Sequence, residues 1–316
     1  MGTRIITVFG GTGFLGRHVI RRLANDGWRV VVPCRNLDHG VHLQPMGNVG
    51  QIVLLRSDLS RDEGVARALH GAQAAVNLVG ILQESGKATF DAIHAELPAR
   101  IAGEAARAGV RRLVHVSAIG ADPASKSHYA RSKAAGEAAV KAAFPEATIL
   151  RPSIVFGPED SFFNRFAAMA RFAPALPLIG GGATRFQPVF VGDVADAVMA
   201  GLLDPQTGGV TYELGGPQVY TFKELMGYVL KLTGRRRFLA NLPWDWATTQ
   251  ARLLERLPIP APLTQDQVEL LRTDNVVADG AKGLADLGIA PTAAEVVVPR
   301  YIRRFARRPL KDPVGI

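Results

Sequence analysis

The chain has 316 residues, 47% of them hydrophobic and 21% charged, enough to bury a large core in one big or two coupled domains. No apolar run approaches the roughly 18 residues of a membrane-spanning helix, and a first strand beginning by Arg4 leaves no room for a leader peptide. The single cysteine, Cys34, excludes an internal disulfide framework and a cysteine-built metal site, so no metal centre is expected and a reducing, cytoplasmic setting is. The formal net charge of +9 is unevenly placed. In residues 299–316, Arg300, Arg303, Arg304, Arg307, Arg308 and Lys311 face one acid, Asp312, so over half of the net charge sits in this tail.

In chain order, an apolar strand at Ile5–Phe9 runs into the turn V-F-G-G-T-G-F-L-G of Val8 to Gly16, and a helix follows at 14–25. Such a turn aims unpaired helix N–H groups at whatever sits above it, and a pyrophosphate suits that position. Gly10 allows the turn, Gly13 lets backbone approach phosphate, and Gly16 lets the helix pack closely on the strand. Further strand-like runs fall at Trp28–Val32, Gln51–Leu55, Ala74–Val79, Arg112–Val116 and Ala147–Leu150, separated by helical patterns at 61–70, 89–108 and 128–143. The runs are almost continuously apolar, as parallel strands covered on both faces are. This alternation predicts an α/β fold: a doubly wound parallel Rossmann sheet, with ligand at the carboxyl ends of the strands.

After Pro152 the rhythm changes, and a smaller C-terminal lobe of the substrate-binding type is expected. The division is 1–155 for the nucleotide-binding domain and 156–316 for the lobe with its basic tail, with segments near 187–215 returning to the sheet. The lobe reads as a helix at 161–172, a loop of Pro174, Pro177 and Gly180–Gly182, a strand at Gln187–Val191, a helix from Asp193 to Leu203, and a strand at Thr211–Leu214. Thr221 and Glu224 form a capping box opening a helix at 222–233, and Thr264 with Gln267 resembles a second. Pro243 opens another helix with Trp244, Ala247, Ala251, Leu254 and Leu257 along one side. Its apolar stripe serves core packing or docking on a partner or membrane interface. Pro258, Pro260 and Pro262 then read as an extended spacer.

Tyr129 and Lys133 stand four apart on one helical face. A lysine ammonium near a phenol favours the phenolate, so such a tyrosine can shuttle a proton while a nicotinamide exchanges hydride. Arg35 ends the second strand with no acid before Asp38. A carboxylate near this position would bond the ribose of NAD, whereas a guanidinium matches a 2′-phosphate with two parallel hydrogen bonds, so NADP(H) is the expected cofactor.

These residues, in this order, resemble the extended and atypical branch of the short-chain dehydrogenase/reductase superfamily. The resemblance rests on Gly10, Gly13 and Gly16; Asp58-Leu59; Asn77 to Gly80; Ser117; Tyr129 and Lys133; and Leu150-Arg151-Pro152. It implies cofactor contacts from Gly10, Thr12, Gly13, Phe14, Leu15 and Gly16 in the turn, with Arg35 beyond it. Asp58 and Leu59 would border the adenine, Asn77, Val79 and Gly80 would line the cleft, and Pro152 and Ile154 would flank the nicotinamide. It implies catalytic roles for Tyr129, Lys133 and Ser117, of which Tyr129 and Lys133 also clamp the nicotinamide ribose.

The runs from His128 to Glu137, Leu150 to Asp160, Phe163 to Phe172 and Gln187 to Ala195 resemble, within that branch, the nucleotide-binding accessory subunit of respiratory complex I (NADH:ubiquinone oxidoreductase). This implies tightly bound NADPH of mainly structural role, peripheral-arm subunits as partners, and a peripheral position on the cytoplasmic face of the inner membrane. A free-standing NADPH-dependent oxidoreductase or epimerase/dehydratase-like enzyme, acting in quinone metabolism or on a lipid-like substrate, is the alternative. A redox-sensing regulator is a third.

Three departures bear on catalysis. Ser117 is followed by Ala118 and Ile119, without a further hydroxyl, and its own hydroxyl could serve a strand-end backbone group. His94 stands where an asparagine organises the site in the family, and reads as a half-buried helix residue. Pro98 interrupts the helical pattern at 89–108 and should kink it or begin a new turn. The basic tail suits an acidic lipid surface or acidic subunit. Nucleic acid is not expected, because no recognised module positions the basic side chains.

Overall fold

The computed structural model describes residues 4–256 and 263–307. The spacer prolines Pro258, Pro260 and Pro262, together with Leu257, Arg308, Lys311 and Asp312, lie outside the described residues. In chain order the strands and α-helices are β1 (Ile5–Phe9), α1 (Phe14–Asn25), β2 (Arg29–Cys34), β3 (Ile52–Arg56), α2 (Asp62–Leu69), β4 (Ala74–Asn77), α3 (Leu97–Arg107), β5 (Arg112–Val116), α4 (His128–Ala143) and β6 (Thr148–Pro152). There follow β7 (Val155–Phe156), α5 (Phe163–Phe172), β8 (Ala175–Ile179), β9 (Arg185–Phe186), β10 (Val189–Phe190), α6 (Val191–Leu203), β11 (Thr211–Leu214), β12 (Tyr220–Thr221) and α7 (Phe222–Thr233). The last are β13 (Phe238–Leu242), α8 (Trp244–Leu254), α9 (Gln265–Leu270) and α10 (Ala294–Ile302).

Two compact units result. The first comprises residues up to Pro152, Val191–Leu214 and Ala278–Ala290; the second comprises Ser153–Phe190, Gly215–Val277 and Pro291 onward. In the first unit, seven parallel strands run β11-β6-β5-β4-β1-β2-β3. The order reverses between β1 and β4, and such a switch point leaves a crevice beyond the strand ends. Helices α2, α3 and α4 bury Leu69, Ile101 and Val140 together with Leu113 and Ile149 of the sheet. Helices α1 and α6 pack together and are tied by a two-pronged ion pair from Arg22 to Asp196, 2.5 and 3.0 Å long.

The second unit builds its core from Phe156, Phe163, Leu176, Phe186, Phe222, Met226 and Val298. Inside it β8 pairs in parallel with β13, and β9 pairs antiparallel with β12. The Thr221–Glu224 capping box opens α7 with both reciprocal bonds, and the Thr264 hydroxyl accepts from Gln267 N–H at the start of α9. On α8, Ala247 and Ala251 are fully buried, so its apolar stripe goes into the unit's own core; Trp246 is turned outward.

Three elements differ from expectation. The stretch of Pro174 and Pro177, expected as a loop, contains β8, which is held by its parallel pairing with β13. The strand read at Gln187–Val191 shrinks to Val189–Phe190: Pro188 lacks a donor, the Gln187 amide bonds Gly216 and Val277, and Val191 already begins α6. The pattern at 89–108 divides into a π-helical stretch, Asp91–Glu96, and α3. Pro98 has no N–H to give the His94 carbonyl four residues earlier, and a widened turn is one way to release it. That carbonyl faces α4. A Cβ placed on Gly136 would stand 1.8 Å from the His94 oxygen, so only glycine permits this approach.

The packing predicts opposite signs for two helix glycines. Gly136→Ala should cost about 3 kcal/mol or more, because backbone and not a flexible side chain blocks it. Gly103→Ala in α3 meets nothing within 4 Å and should stabilise by about 0.5–1 kcal/mol. Denaturant melts of the two variants check both signs.

Candidate functional site

The glycine turn works by excluding side chains. Gly10 has φ +77°, and a Cβ there would lie 2.9 Å from the Leu78 carbonyl carbon, so the turn rests directly on the backbone after β4. A Cβ on Gly16 would fall 2.3 Å from the Gly11 oxygen; the helix therefore packs on the turn itself, where close contact with the strand was expected. Gly13 caps α1 with no side-chain hydrogen bond, and the first helical turn holds no acid. The positive end of α1 is thus neither covered by a capping side chain nor opposed by a carboxylate of its own first turn.

Beside the turn, Asn77 at the end of β4 is buried. Its Oδ1 accepts from Val79 N–H at 3.1 Å and its Nδ2 donates to His115 Nδ1, also 3.1 Å away. A Cβ on Gly80 would lie 3.4 Å from Lys133 Nζ and 3.7 Å from His94 Nε2. Gly80 thus brings main chain up to both side chains.

His94 is fully buried, at 1% exposure, which corrects the half-buried reading. Its Nε2 accepts from Ile81 N–H at 3.0 Å, so the proton belongs on Nδ1, which then donates to Ser132 Oγ at 3.1 Å. Ser132 donates onward to the Tyr129 carbonyl at 2.8 Å. The ring stacks on Phe90 and meets the Tyr129 ring edge-on at 5.1 Å. One neutral imidazole therefore links the loop after β4 to the start of α4.

Tyr129 is half-buried, and Lys133 Nζ sits 5.8 Å from the centre of its ring. Burial pushes the Lys133 ammonium down to about 8, against the pull of the Glu137 carboxylate. Glu137 is itself held by a two-pronged pair with Arg151, at 2.8 and 2.7 Å. Burial, with the Lys133 charge behind it, pushes His94 and His115 each down to about 3. Ser117 is buried with no partner for its Oγ among the described residues, so the hydroxyl does not serve a strand-end backbone group.

A second cluster borders a cavity of about 600 Å³ lined by Arg35, Arg56, Ser57, Asp58 and Arg67. Cys34 pairs with Arg56 across β2 and β3, which puts Arg35 one residue beyond that register. Arg67 is pinned by donation to the Arg56 carbonyl at 2.7 Å. The Asp58 carboxylate accepts from the hydroxyl and N–H of Ser60, which hold it below the usual range, and it pairs with Arg61 at 3.7 Å. Its charge is turned to its own loop, leaving positive charge to dominate the cavity wall.

Of the other candidates, Thr12, Phe14 and Leu15 lie at the start of α1, partly buried, while Leu59 and Val79 pack against the core of the first unit. Pro152 ends β6, and its carbonyl accepts from Ile119 N–H. Ile154 falls in the second unit, where its N–H donates to Asn275. Reading the sequence missed Arg56, Arg67, His115, Ser132 and Gly136. Arg56 could have been found as the arginine ending the strand next to Arg35's, and His115 as the one polar ring in a buried strand.

The sequence matches the NAD dependent epimerase/dehydratase family over residues 6–215, and the chain belongs to that family. It is 39% identical over 300 residues to the protein named NADH dehydrogenase [ubiquinone] 1 alpha subcomplex subunit 9, mitochondrial, of Arabidopsis thaliana, covering 91% of this chain and 74% of that one. The ceramide reductase of Caulobacter vibrioides is 33% identical over 251 residues, covering 79% and 77%. Among solved structures, MoeE5 in complex with UDP-glucuronic acid and NAD superposes with a TM-score of 0.70 at 19% identity, over 96% of this chain and 99% of that one. This last likeness shows the fold.

The neutral histidines predict acid lability. Because His94 and His115 titrate near 3 when folded and near 6.5 when unfolded, the unfolded chain binds more protons in between, so stability falls as pH drops from about 6.5 toward 3. The loss should reach several kcal/mol. His94→Asn should remove about one proton from the uptake on unfolding measured between pH 6 and 4; an unchanged pH slope contradicts the assignment.

Proposed function

We propose that the first unit binds NADP(H), that the cofactor serves mainly as a structural brace, and that the chain is an accessory subunit of a bacterial respiratory complex I. The observation that carries the cofactor choice is the wall of Arg35, Arg56 and Arg67 beyond β2 and β3, whose one carboxylate, Asp58, is engaged by Ser60 and Arg61. A 2′-phosphate gains charge-assisted hydrogen bonds there that a ribose hydroxyl does not. The diphosphate takes the bare N-terminus of α1, with Thr12, Gly13 and Leu15 around it. Tyr129 and Lys133 hold the nicotinamide ribose, and Asn77 and Gly80 form the adjoining wall.

When bound, NADPH can supply a hydride. This chain's own groups could manage the accompanying proton: Tyr129 as acid, Lys133 favouring its phenolate, and Ser117 with an uncommitted buried hydroxyl. The subunit reading draws on the relative named as a complex I subunit, matched along 91% of this chain. In that reading the peripheral-arm subunits are the partners and the cytoplasmic face of the inner membrane is the location. A second reading, a free-standing NADPH-dependent reductase of a lipid-like substrate, is favoured by the similarity to a ceramide reductase and by the retained Tyr129–Lys133 pair.

Titration calorimetry of the single variants Arg35→Asp and Arg56→Gln should show NADPH affinity falling by about 10- to 100-fold, with NADH changing far less. Equal losses for both cofactors would defeat the assignment. Tyr129→Phe separates the two roles. A tagged copy of this variant should still recover complex I subunits from gently solubilised membranes and support respiration, whereas a reductase would lose its activity in the cell.

A further inference from the structure

The second unit holds 17 Lys and Arg against 10 Asp and Glu, seven of the nine net positive charges of the chain. Their densest gathering is not the C-terminal tail but the loop after α7. There Gly234, in the left-handed conformation at φ +60°, ends the helix, and Arg235, Arg236 and Arg237 follow in succession. With Arg307 they line a cavity of about 470 Å³.

Five arginines assemble around this point because helix ends help to offset their repulsion. Arg237 donates to the carbonyls of Ala170 and Arg171, the negative end of α5, at 2.9 and 3.3 Å. Arg235 donates twice to the Phe305 carbonyl, at 3.2 Å each. Burial and the neighbouring charges of Arg237, Arg171 and Arg307 hold Arg235 below its ordinary range. No acidic side chain among the described residues forms an ion pair with Arg171, Arg235, Arg236, Arg237 or Arg307. A cavity walled by guanidinium with no counter-charge in place calls for an anion, and the geometry of guanidinium favours phosphate.

The surroundings choose between sources of phosphate. Phe172 and Phe238 are 84% and 80% exposed. They adjoin Arg171 and Arg237 in the chain, and the Arg171 guanidinium lies 5.4 Å from the Phe172 ring centre. Phe238 N–H bonds the Pro174 carbonyl, which fastens the two segments together. Exposed rings beside a soluble anion gain nothing, whereas at a bilayer they enter the apolar boundary as arginines meet headgroups. No helix among the described residues is long and apolar enough to cross a membrane, so the contact is with the surface.

We propose that Arg171, Arg235–Arg237 and Arg307, with Phe172 and Phe238, form a docking site for the phosphate headgroups of an anionic lipid bilayer. This deepens the membrane-side placement proposed above and centres the contact on the Arg235–Arg237 loop, to which the tail contributes Arg307. It does not depend on which complex the chain joins, and a failure here leaves the pull-down result standing.

The test is co-sedimentation of the full chain with vesicles of phosphatidylcholine alone and of phosphatidylcholine with phosphatidylglycerol. Wild type should prefer the anionic vesicles. The double variant Arg236→Gln/Arg307→Gln should lose about thirtyfold in partitioning, and Phe172→Ser/Phe238→Ser about tenfold or more. The tail variant Arg308→Gln/Lys311→Gln should lose less than the cavity variant. Phe172, Arg236, Phe238 and Arg307 are exposed, and thermal melts check that each variant stays folded. Three results overturn the proposal: no preference for anionic vesicles, binding that depends on the tail but not the cavity, or displacement by excess inorganic phosphate with the phenylalanine variant unaffected. The last would make the cavity a site for a soluble phosphate.

Discussion

The candidate site exists because backbones touch where side chains would hold them apart. Gly10 rests on Leu78–Val79, Gly16 on Gly11, Gly64 on the Asp58 carbonyl and Gly136 on the His94 carbonyl. In each case a Cβ would come within 3 Å of main-chain atoms that cannot rotate away. The first of these contacts sets the distance between the glycine turn and the loop after β4, and the last sets the approach of mid-α4 to the π-helical stretch. The diphosphate of a dinucleotide is charged, and a crevice that receives one must bring main-chain N–H groups close to it. The glycines permit that closeness because they place no Cβ in the contact.

Within this frame the charge is arranged one-sidedly. Lys133 keeps an ammonium in a buried place, with Glu137 near but already engaged by Arg151. His94 and His115 remain neutral and serve as hydrogen-bonding spacers, since burial disfavours a charged imidazole and the Lys133 charge repels one. The exposed end of α1 and the arginine wall beyond β3 add to the same sign. A polyanionic ligand would relieve all of these at once. Binding that favours the folded state stabilises it in proportion to the logarithm of ligand concentration over Kd. The bracing role proposed for the cofactor would need only this charge pattern and no hydride transfer.

What was legible in the sequence was what depends on near neighbours. The strand and helix periods, the G-x-x-G-x-x-G turn and the Thr221–Glu224 box are each set within a few residues, and the parallel sheet follows from their alternation. Arg35 stood out because its significance comes from a fixed offset past the turn. Arg56 did not, since only the pairing of β2 with β3 brings it alongside. Gly136 carries no local signal, because the His94 carbonyl that it accommodates is released by Pro98, far off in sequence. His94 carried an apolar-helix context that suggested partial exposure; its burial comes from Phe90, Tyr129 and Ser132, which approach from two separate segments.

The retention of Tyr129 and Lys133 is often taken as a sign of turnover, but the hydrogen-bond chain weakens that inference. From Ile81 N–H through His94 and Ser132, the chain ends on the Tyr129 main-chain carbonyl and not on its phenol. It fixes where the residue sits through its main chain. Removing the phenolic oxygen would leave that scaffold whole, while removing the imidazole would release the loop and the helix start together. In a protein selected for holding a cofactor, the second change is the damaging one. In a reductase, the first is.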